Sequence, residues 1–196
     1  YALLLVGSDL YVGGAFLNVG ASDGLPAANL ARWDGAEWYT VGSAPPLSAQ
    51  QYVDALASSE GNLYVANRDV ASGGFHFYQV TSPAGAATWN QLAYSTNCND
   101  IANDCDRVYA ISASQNNVFI GGTFTNSNAT FNPALTTTTS SMAWWNRKAN
   151  TWSAMDGGVT APVSGVIPGW MQGVHALVMD RSSLYAGGEF MTAKGS

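Results

Sequence analysis

Leu10-Tyr11-Val12-Gly13-Gly14-Ala15-Phe16 returns near the far end of the chain as Leu184-Tyr185-Ala186-Gly187-Gly188-Glu189-Phe190. A third copy reads Val118-Phe119-Ile120-Gly121-Gly122-Thr123-Phe124, and a fourth, Leu63-Tyr64-Val65-Ala66-Asn67, lacks the glycine pair. Eight residues before the first apolar position of every copy stands an alanine followed by an aliphatic residue: Ala2-Leu3, Ala55-Leu56, Ala110-Ile111 and Ala176-Leu177. So constant an offset excludes coincidence. The chain is a tandem array whose alanines lie 53, 55 and 66 residues apart.

Two further elements recur between the copies. One is an aromatic segment: Ala31-Arg32-Trp33-Asp34, Phe75-His76-Phe77-Tyr78 and Ala143-Trp144-Trp145-Asn146. The other is a tryptophan three residues before an aliphatic one, at Trp38, Trp89 and Trp152. In all four elements apolar residues alternate or run in short bursts bounded by Gly, Ser, Asn and Asp, the pattern of short strands, and helix candidates are nearly absent. Each repeat therefore predicts four strands. A period near 50 residues with four strands per repeat is what a β-propeller blade requires, because one small sheet cannot bury its own faces and must stack on its neighbours.

The expected fold is all-β, a propeller of about three and a half four-stranded blades in one region over residues 1–196. The repeats span 1–51, 52–107, 108–173 and an incomplete 174–196. Fourteen strands leave a ring of four to eight blades open, so completion by further chain or by another copy is expected. In this scheme Gly13, Gly14, Gly121, Gly122, Gly187 and Gly188 are packing residues, placed where a side chain would strike the adjacent sheet or force an unfavourable backbone angle. A phosphate-cradling loop would need a following helix and a lysine instead. Trp38, Trp89 and Trp152 are read as wedges between blades.

The strand ending in Gly-Gly, followed by an aromatic segment and then Trp, resembles the kelch repeat and the related propeller repeats of galactose-oxidase type. Trp145 to Trp152 is similar to the kelch aromatic-turn-tryptophan hairpin, with Trp145 where kelch has Tyr. The form Leu-Tyr-Val-Gly-Gly-x-Phe followed by Ala-Arg-Trp-Asp is closer still to divergent propeller repeats of bacterial surface proteins and of fungal cell-surface polarity markers. Such motifs specify fold well and function poorly. Galactose-oxidase-like enzymes use paired His and Tyr copper ligands, which directs attention to His76 and His175. These fall at different repeat positions without ligand spacing, so both are read as structural.

Composition narrows the functions. Charged residues are only 10% of the chain, seven basic against thirteen acidic, and form no stripe able to neutralise a phosphate backbone, which argues against nucleic acid. No apolar run approaches the roughly 20 residues of a membrane-spanning helix. Polarity comes instead from Ser, Thr, Asn and Gly, which suits a secreted or surface protein. Cys98 and Cys105, in a loop-like stretch, are expected to pair as a disulfide in an oxidising compartment. Asn128 opens an N-glycosylation sequon, Asn128-Ala129-Thr130, in an insertion read as an exposed loop over 125–141.

Candidate chemistry is sparse. Asp100, Asp104 and Asp106 offer oxygen ligands for calcium but lack the spacing and glycine of the twelve-residue loop. No Gly-x-Ser-x-Gly elbow, Ser/His/Asp set or carboxylate pair stands out. Asp34 and Asn146 read as caps of the turn between the third and fourth strands. The expected function is a non-catalytic extracellular structural or adhesive module of a surface assembly or filament. It has no cofactor, and its partners are other protein chains or copies of itself. The alternative is a glycan- or protein-binding module using loop aromatics such as Trp170, and a carbohydrate oxidase ranks below both.

Overall fold

The computed structural model describes residues 1–21, 24–42, 46–71, 73–96, 98–99, 104–125, 129–135, 139–155, 158–160 and 173–193. Among these every regular element is a strand. In chain order they are β1 (Ala2–Val6), β2 (Asp9–Gly13), β3 (Asn18–Val19), β4 (Leu25–Pro26), β5 (Leu30–Trp33), β6 (Trp38–Thr40), β7 (Gln51–Ser59), β8 (Asn62–Asp69), β9 (Phe75–Thr81) and β10 (Thr88–Ser95). There follow β11 (Cys98–Asn99), β12 (Asp104–Cys105), β13 (Arg107–Ala113), β14 (Asn117–Thr125), β15 (Ala129–Phe131), β16 (Ser140–Asn146), β17 (Thr151–Ala154), β18 (Val159–Thr160), β19 (Gly173–Asp180), β20 (Ser183–Glu189) and β21 (Thr192–Ala193).

The strands form antiparallel sheets that follow the repeats. Sheet one is β1-β2-β5-β6, sheet two β7-β8-β9-β10, sheet three β13-β14-β16-β17 and sheet four β19-β20. The alanine-aliphatic element is the first strand of each sheet and the Tyr-Gly-Gly element the second. Matched registers make the equivalence concrete: Leu10 faces Trp33 and Trp33 faces Trp38, just as Val118 faces Trp145 and Trp145 faces Trp152. Short ribbons join β3 to β4, β11 to β12 and β18 to β21.

Where the sequence predicted four strands, sheet two has five. β15, from the insertion after β14, pairs along the outer edge of β10, with Ala93 opposite Phe131 and Ser95 opposite Ala129. This part of the insertion is therefore not an exposed loop, and Ala129 and Phe131 are buried. The cause is local. Phe131 packs edge-on against Trp152 with ring centroids 4.9 Å apart, and Trp152 Nε1 donates to the carbonyl of Asn132 at 3.3 Å. Phe131, the seventh residue of the insertion, thus packs against the tryptophan of the last strand of its own repeat.

Instead of one central core, three thin cores lie between successive sheets. Tyr11 and Leu30 of sheet one meet Val53, Leu63, Val65 and Val80 of sheet two. Tyr64, Phe75 and Phe77 on the other side of sheet two meet Val118, Ile120 and Trp145 of sheet three. Met142 of sheet three meets Val174, Leu177 and Leu184 of sheet four. The first strands are also neighbours, β1 beside β7, β7 beside β13 and β13 beside β19.

The glycine pair serves two different contacts. A Cβ on Gly121 would come within 2.6 Å of Val174 Cγ1 and 3.1 Å of Leu177 Cδ1, both on the next sheet. Gly13 stands in the same relation to the next sheet's Val53 and Leu56. The second glycine faces the first strand of its own sheet. A Cβ on Gly122 would lie 2.9 Å from Val108 Cα, and one on Gly188 3.0 Å from Val174 Cα. Neither glycine of any pair has a positive φ. The expected backbone-angle reason therefore does not apply; close approach excludes a side chain at Gly13, Gly14, Gly121, Gly122 and Gly188, whereas a Cβ on Gly187 would meet nothing closer than 3.9 Å.

Candidate functional site

The close approach at the second glycine coincides with a β-bulge. The first strands shift register between Val53 and Ala55, between Val108 and Ala110 and between Val174 and Ala176, leaving Asp54, Tyr109 and His175 as the extra residues. A bulge lifts one residue out of the ladder and re-aims its side chain. Because the first strands are neighbours, this places a polar cluster at one end of them. The Tyr109 and His175 rings stack with centroids 4.7 Å apart. Arg68 Nε lies 3.5 Å from Asp54 Oδ1, and its guanidinium sits 5.3 Å from the Tyr52 ring centroid and 5.5 Å from that of Tyr1. Burial pushes the Asp54 carboxyl above its usual pKa, against the pull of Arg68, Arg107 and the N-terminal amine.

The opposite end carries a cleft of about 530 Å³ between sheets two and three. Successive antiparallel strands return every second turn to the same side, so the turn after each first strand and the turn after each third strand emerge together. Gln115 and Asn116 come from the β13–β14 turn, Arg147, Lys148 and Asn150 from the β16–β17 turn, and Glu60 from the β7–β8 turn. Gln79 and Asn90 face them from sheet two. Several groups are held in place. Arg147 Nη1 donates to the carbonyl of Gln115 at 2.9 Å, Gln79 Nε2 to Asn62 Oδ1 at 3.1 Å, and the buried Trp145 Nε1 to Asn150 Oδ1 at 3.2 Å. Amides that both donate and accept, beside two cations and one carboxylate, suit a polar uncharged or mildly acidic ligand.

The residues singled out from the sequence are scattered. Trp152 and Trp89 lie in the gaps toward the preceding sheets, where Trp152 meets Phe77 of sheet two at 6.1 Å and Trp89 packs with the core between sheets one and two. Trp38 is half-buried against Trp33, their centroids 5.3 Å apart. His76 and His175 are not brought together. His76 Nδ1 is 2.7 Å from Gln91 Nε2 and its Nε2 is 3.7 Å from Asp69, while its ring stacks on Tyr78 and Tyr94.

Of the three aspartates considered for calcium, Asp100 lies outside the described residues and Asp104 belongs to β12. Asp106 is buried and accepts from the Ser95 hydroxyl at 2.7 Å. Among the described residues no group of three or more His, Cys, Asp and Glu gathers as metal ligands. Asn128 and Trp170 fall outside the described residues. Cys98 and Cys105, read as part of a loop, face each other in the β11–β12 ribbon. Asp34 Oδ1 accepts from the backbone of Ala36 and Glu37 at 2.9 and 2.8 Å, and Asn146 Oδ1 from that of Ala149 at 2.8 Å.

The cleft residues had one signal in the sequence. Amides cluster in turns that strand alternation sends to the same side, but the sequence does not tell which two sheets enclose them. Among the described residues no helix is long and apolar enough to cross a membrane. Comparison with family models, with curated proteins and with solved structures finds no match.

Proposed function

We propose that the chain is a kelch-like β-propeller module that acts outside the cell as a non-catalytic structural and adhesive element. The observation that carries this reading is one contact made in the same way twice, Val53 and Leu56 filling the space beside Gly13 of the preceding sheet and Val174 and Leu177 the space beside Gly121. A repeated face-to-face contact of this kind builds an array and holds turns in fixed positions for contact with partners. The extracellular setting draws support from low charge, abundant Ser, Thr and Asn, and the position of Cys98 opposite Cys105. Residues directly opposite each other in an antiparallel ladder lie within the Cα separation that a disulfide spans.

A second reading, glycan or polar-protein binding, is favoured by the amide-lined cleft between sheets two and three. The experiment is to present the purified, labelled protein to arrayed glycans and to extracellular proteins, alongside turnover assays on sugar alcohol and glycoside substrates. Binding to proteins that survives Asn116→Ala and Lys148→Ala supports the adhesive reading. Glycan binding lost in both variants supports the second. Turnover that scales with protein concentration overturns both.

A further inference from the structure

The cleft between sheets two and three carries a charge that the repeat does not require. Between the paired Trp33 and Trp38 of sheet one the turn reads Asp34-Gly35-Ala36-Glu37, and between the paired Val80 and Trp89 of sheet two residues 81–88 include no charged side chain. Between Trp145 and Trp152 of sheet three the turn reads Asn146-Arg147-Lys148-Ala149-Asn150-Thr151. The same turn is thus acidic in one repeat, neutral in the next and basic in the third, so packing of the repeat does not account for the two cations. Among the described residues neither Arg147 nor Lys148 has an ion-pair partner, and Glu60 is the one acid lining the cleft. A chain of net charge −6 therefore keeps a local excess of positive charge here. The basic turn is also held in place. Arg147 donates from its backbone N–H to the carbonyl of Asn116 at 2.8 Å and from Nη1 to that of Gln115 at 2.9 Å. The second bond leaves the rest of the guanidinium fork for an anion.

We propose that this cleft binds an anionic saccharide, whose carboxylate or sulfate meets Arg147 and Lys148 and whose hydroxyls meet the amides of Gln79, Asn90 and Asn116. The proposal rests on the glycan-binding reading and adds the charge of the ligand. Gln79 and Asn90 stand directly opposite each other on β9 and β10, which sets two amides side by side on one wall, and Asn116 belongs to the other. A sugar hydroxyl both donates and accepts, as each of these amides does, whereas the carboxylates of an acidic peptide only accept. Trp145, the one aromatic residue of the lining, is 5% exposed. The cleft therefore presents no apolar recess for the aromatic anchors by which protein partners dock. A guanidinium already tethered loses little freedom when the anion arrives. Glu60, on the facing turn, opposes a second negative charge and limits how acidic a ligand the cleft accepts.

The test is titration calorimetry of the full chain with trigalacturonate, its uncharged methyl ester, a sulfated galactose trisaccharide and tetraglutamate. At least one of the two charged sugars is expected to bind, and the tighter of them identifies the anion held. The ester should bind about 10-fold more weakly or worse, and Arg147→Gln should weaken the charged sugar about 10-fold, since both remove a charge-assisted hydrogen bond. Lys148→Gln, at an exposed position, should weaken it about 3-fold, and Glu60→Gln should tighten it by about the same factor. Circular dichroism checks that each variant keeps the fold. Binding that the ester matches, or that survives Arg147→Gln and Lys148→Gln together, overturns the proposal and leaves the glycan-binding reading standing. Tetraglutamate bound as tightly as the charged sugars overturns it in favour of an acidic protein partner. A chain that binds none of the saccharides overturns the proposal and the glycan-binding reading with it.

Discussion

Val174 of β19 sets its Cγ1 and Cβ into the space beside Gly121 of β14, where a methyl group would come within 2.6 and 3.0 Å of them. Gly121→Ala must therefore push two sheets apart or distort β19. We expect a loss of about 1–3 kcal/mol, the cost typical of overpacking. Gly187→Ala, with nothing closer than 3.9 Å, is expected to change monomer stability by less than about 0.5 kcal/mol. Urea unfolding of both variants at low protein concentration checks the contrast, and equal effects would contradict the packing account.

The three repeat tryptophans should not cost the same to remove. Trp152 is 5% exposed between sheets three and two, with Phe77 and Phe131 against it. Trp152→Ala should cost about 3–5 kcal/mol. Trp38, half-buried with its ring against Trp33, should cost roughly 1–2 kcal/mol on the same change. Thermal unfolding of the pair measures the difference.

Asn67 stands where three other copies have glycine, and its side-chain Nδ2 and Oδ1 are buried without a hydrogen-bond partner. An unsatisfied buried amide costs about 1–3 kcal/mol, more than the roughly 0.5–1 kcal/mol a strand glycine costs. Asn67→Gly is therefore expected to raise stability by roughly 1 kcal/mol. A lower unfolding midpoint would show that the amide is satisfied in solution.

Burial holds the His76 pKa below its usual 6.5, with Asp69 opposing the shift only in part. Gln91, Tyr78 and Tyr94, which also face the ring, carry no charge at neutral pH. The unfolded chain then binds the proton more readily than the folded one. The stabilising contribution is complete above pH 6.5 and declines as the pH falls below it toward the folded-state pKa. His76→Gln should flatten that part of the stability profile, measured by denaturant unfolding from pH 7.5 to 5. An unchanged slope would place the acid sensitivity elsewhere.

With Cys98 opposite Cys105, a disulfide would close a loop of eight residues and add about 2.5 kcal/mol by chain entropy. Thiol titration of the unfolded protein without reductant should find no free thiol. Cys98→Ser with Cys105→Ser, or a reductant, should lower stability by about that amount. Two titrating thiols would remove this support for an oxidising compartment.

The amino-acid sequence by itself determined the strands, their order within each sheet and the equivalence of Trp38, Trp89 and Trp152, because all of these follow from alternation, local turn chemistry and a repeat written four times. Asp34 and Asn146, capping the turns that join the last two strands, were legible for the same reason. What only the tertiary structure decided concerns contacts between residues far apart in the chain. In the pairs at Gly13 and Gly121 the first glycine serves the next sheet and the second its own. Asp54, Tyr109 and His175 gather at bulges, the stretch around Phe131 became a fifth strand beside β10, and Gln79 came to face Asn116 across a cleft. No short stretch encodes these, since each depends on how closely two sheets approach, and that distance is set by the fit of side chains from both.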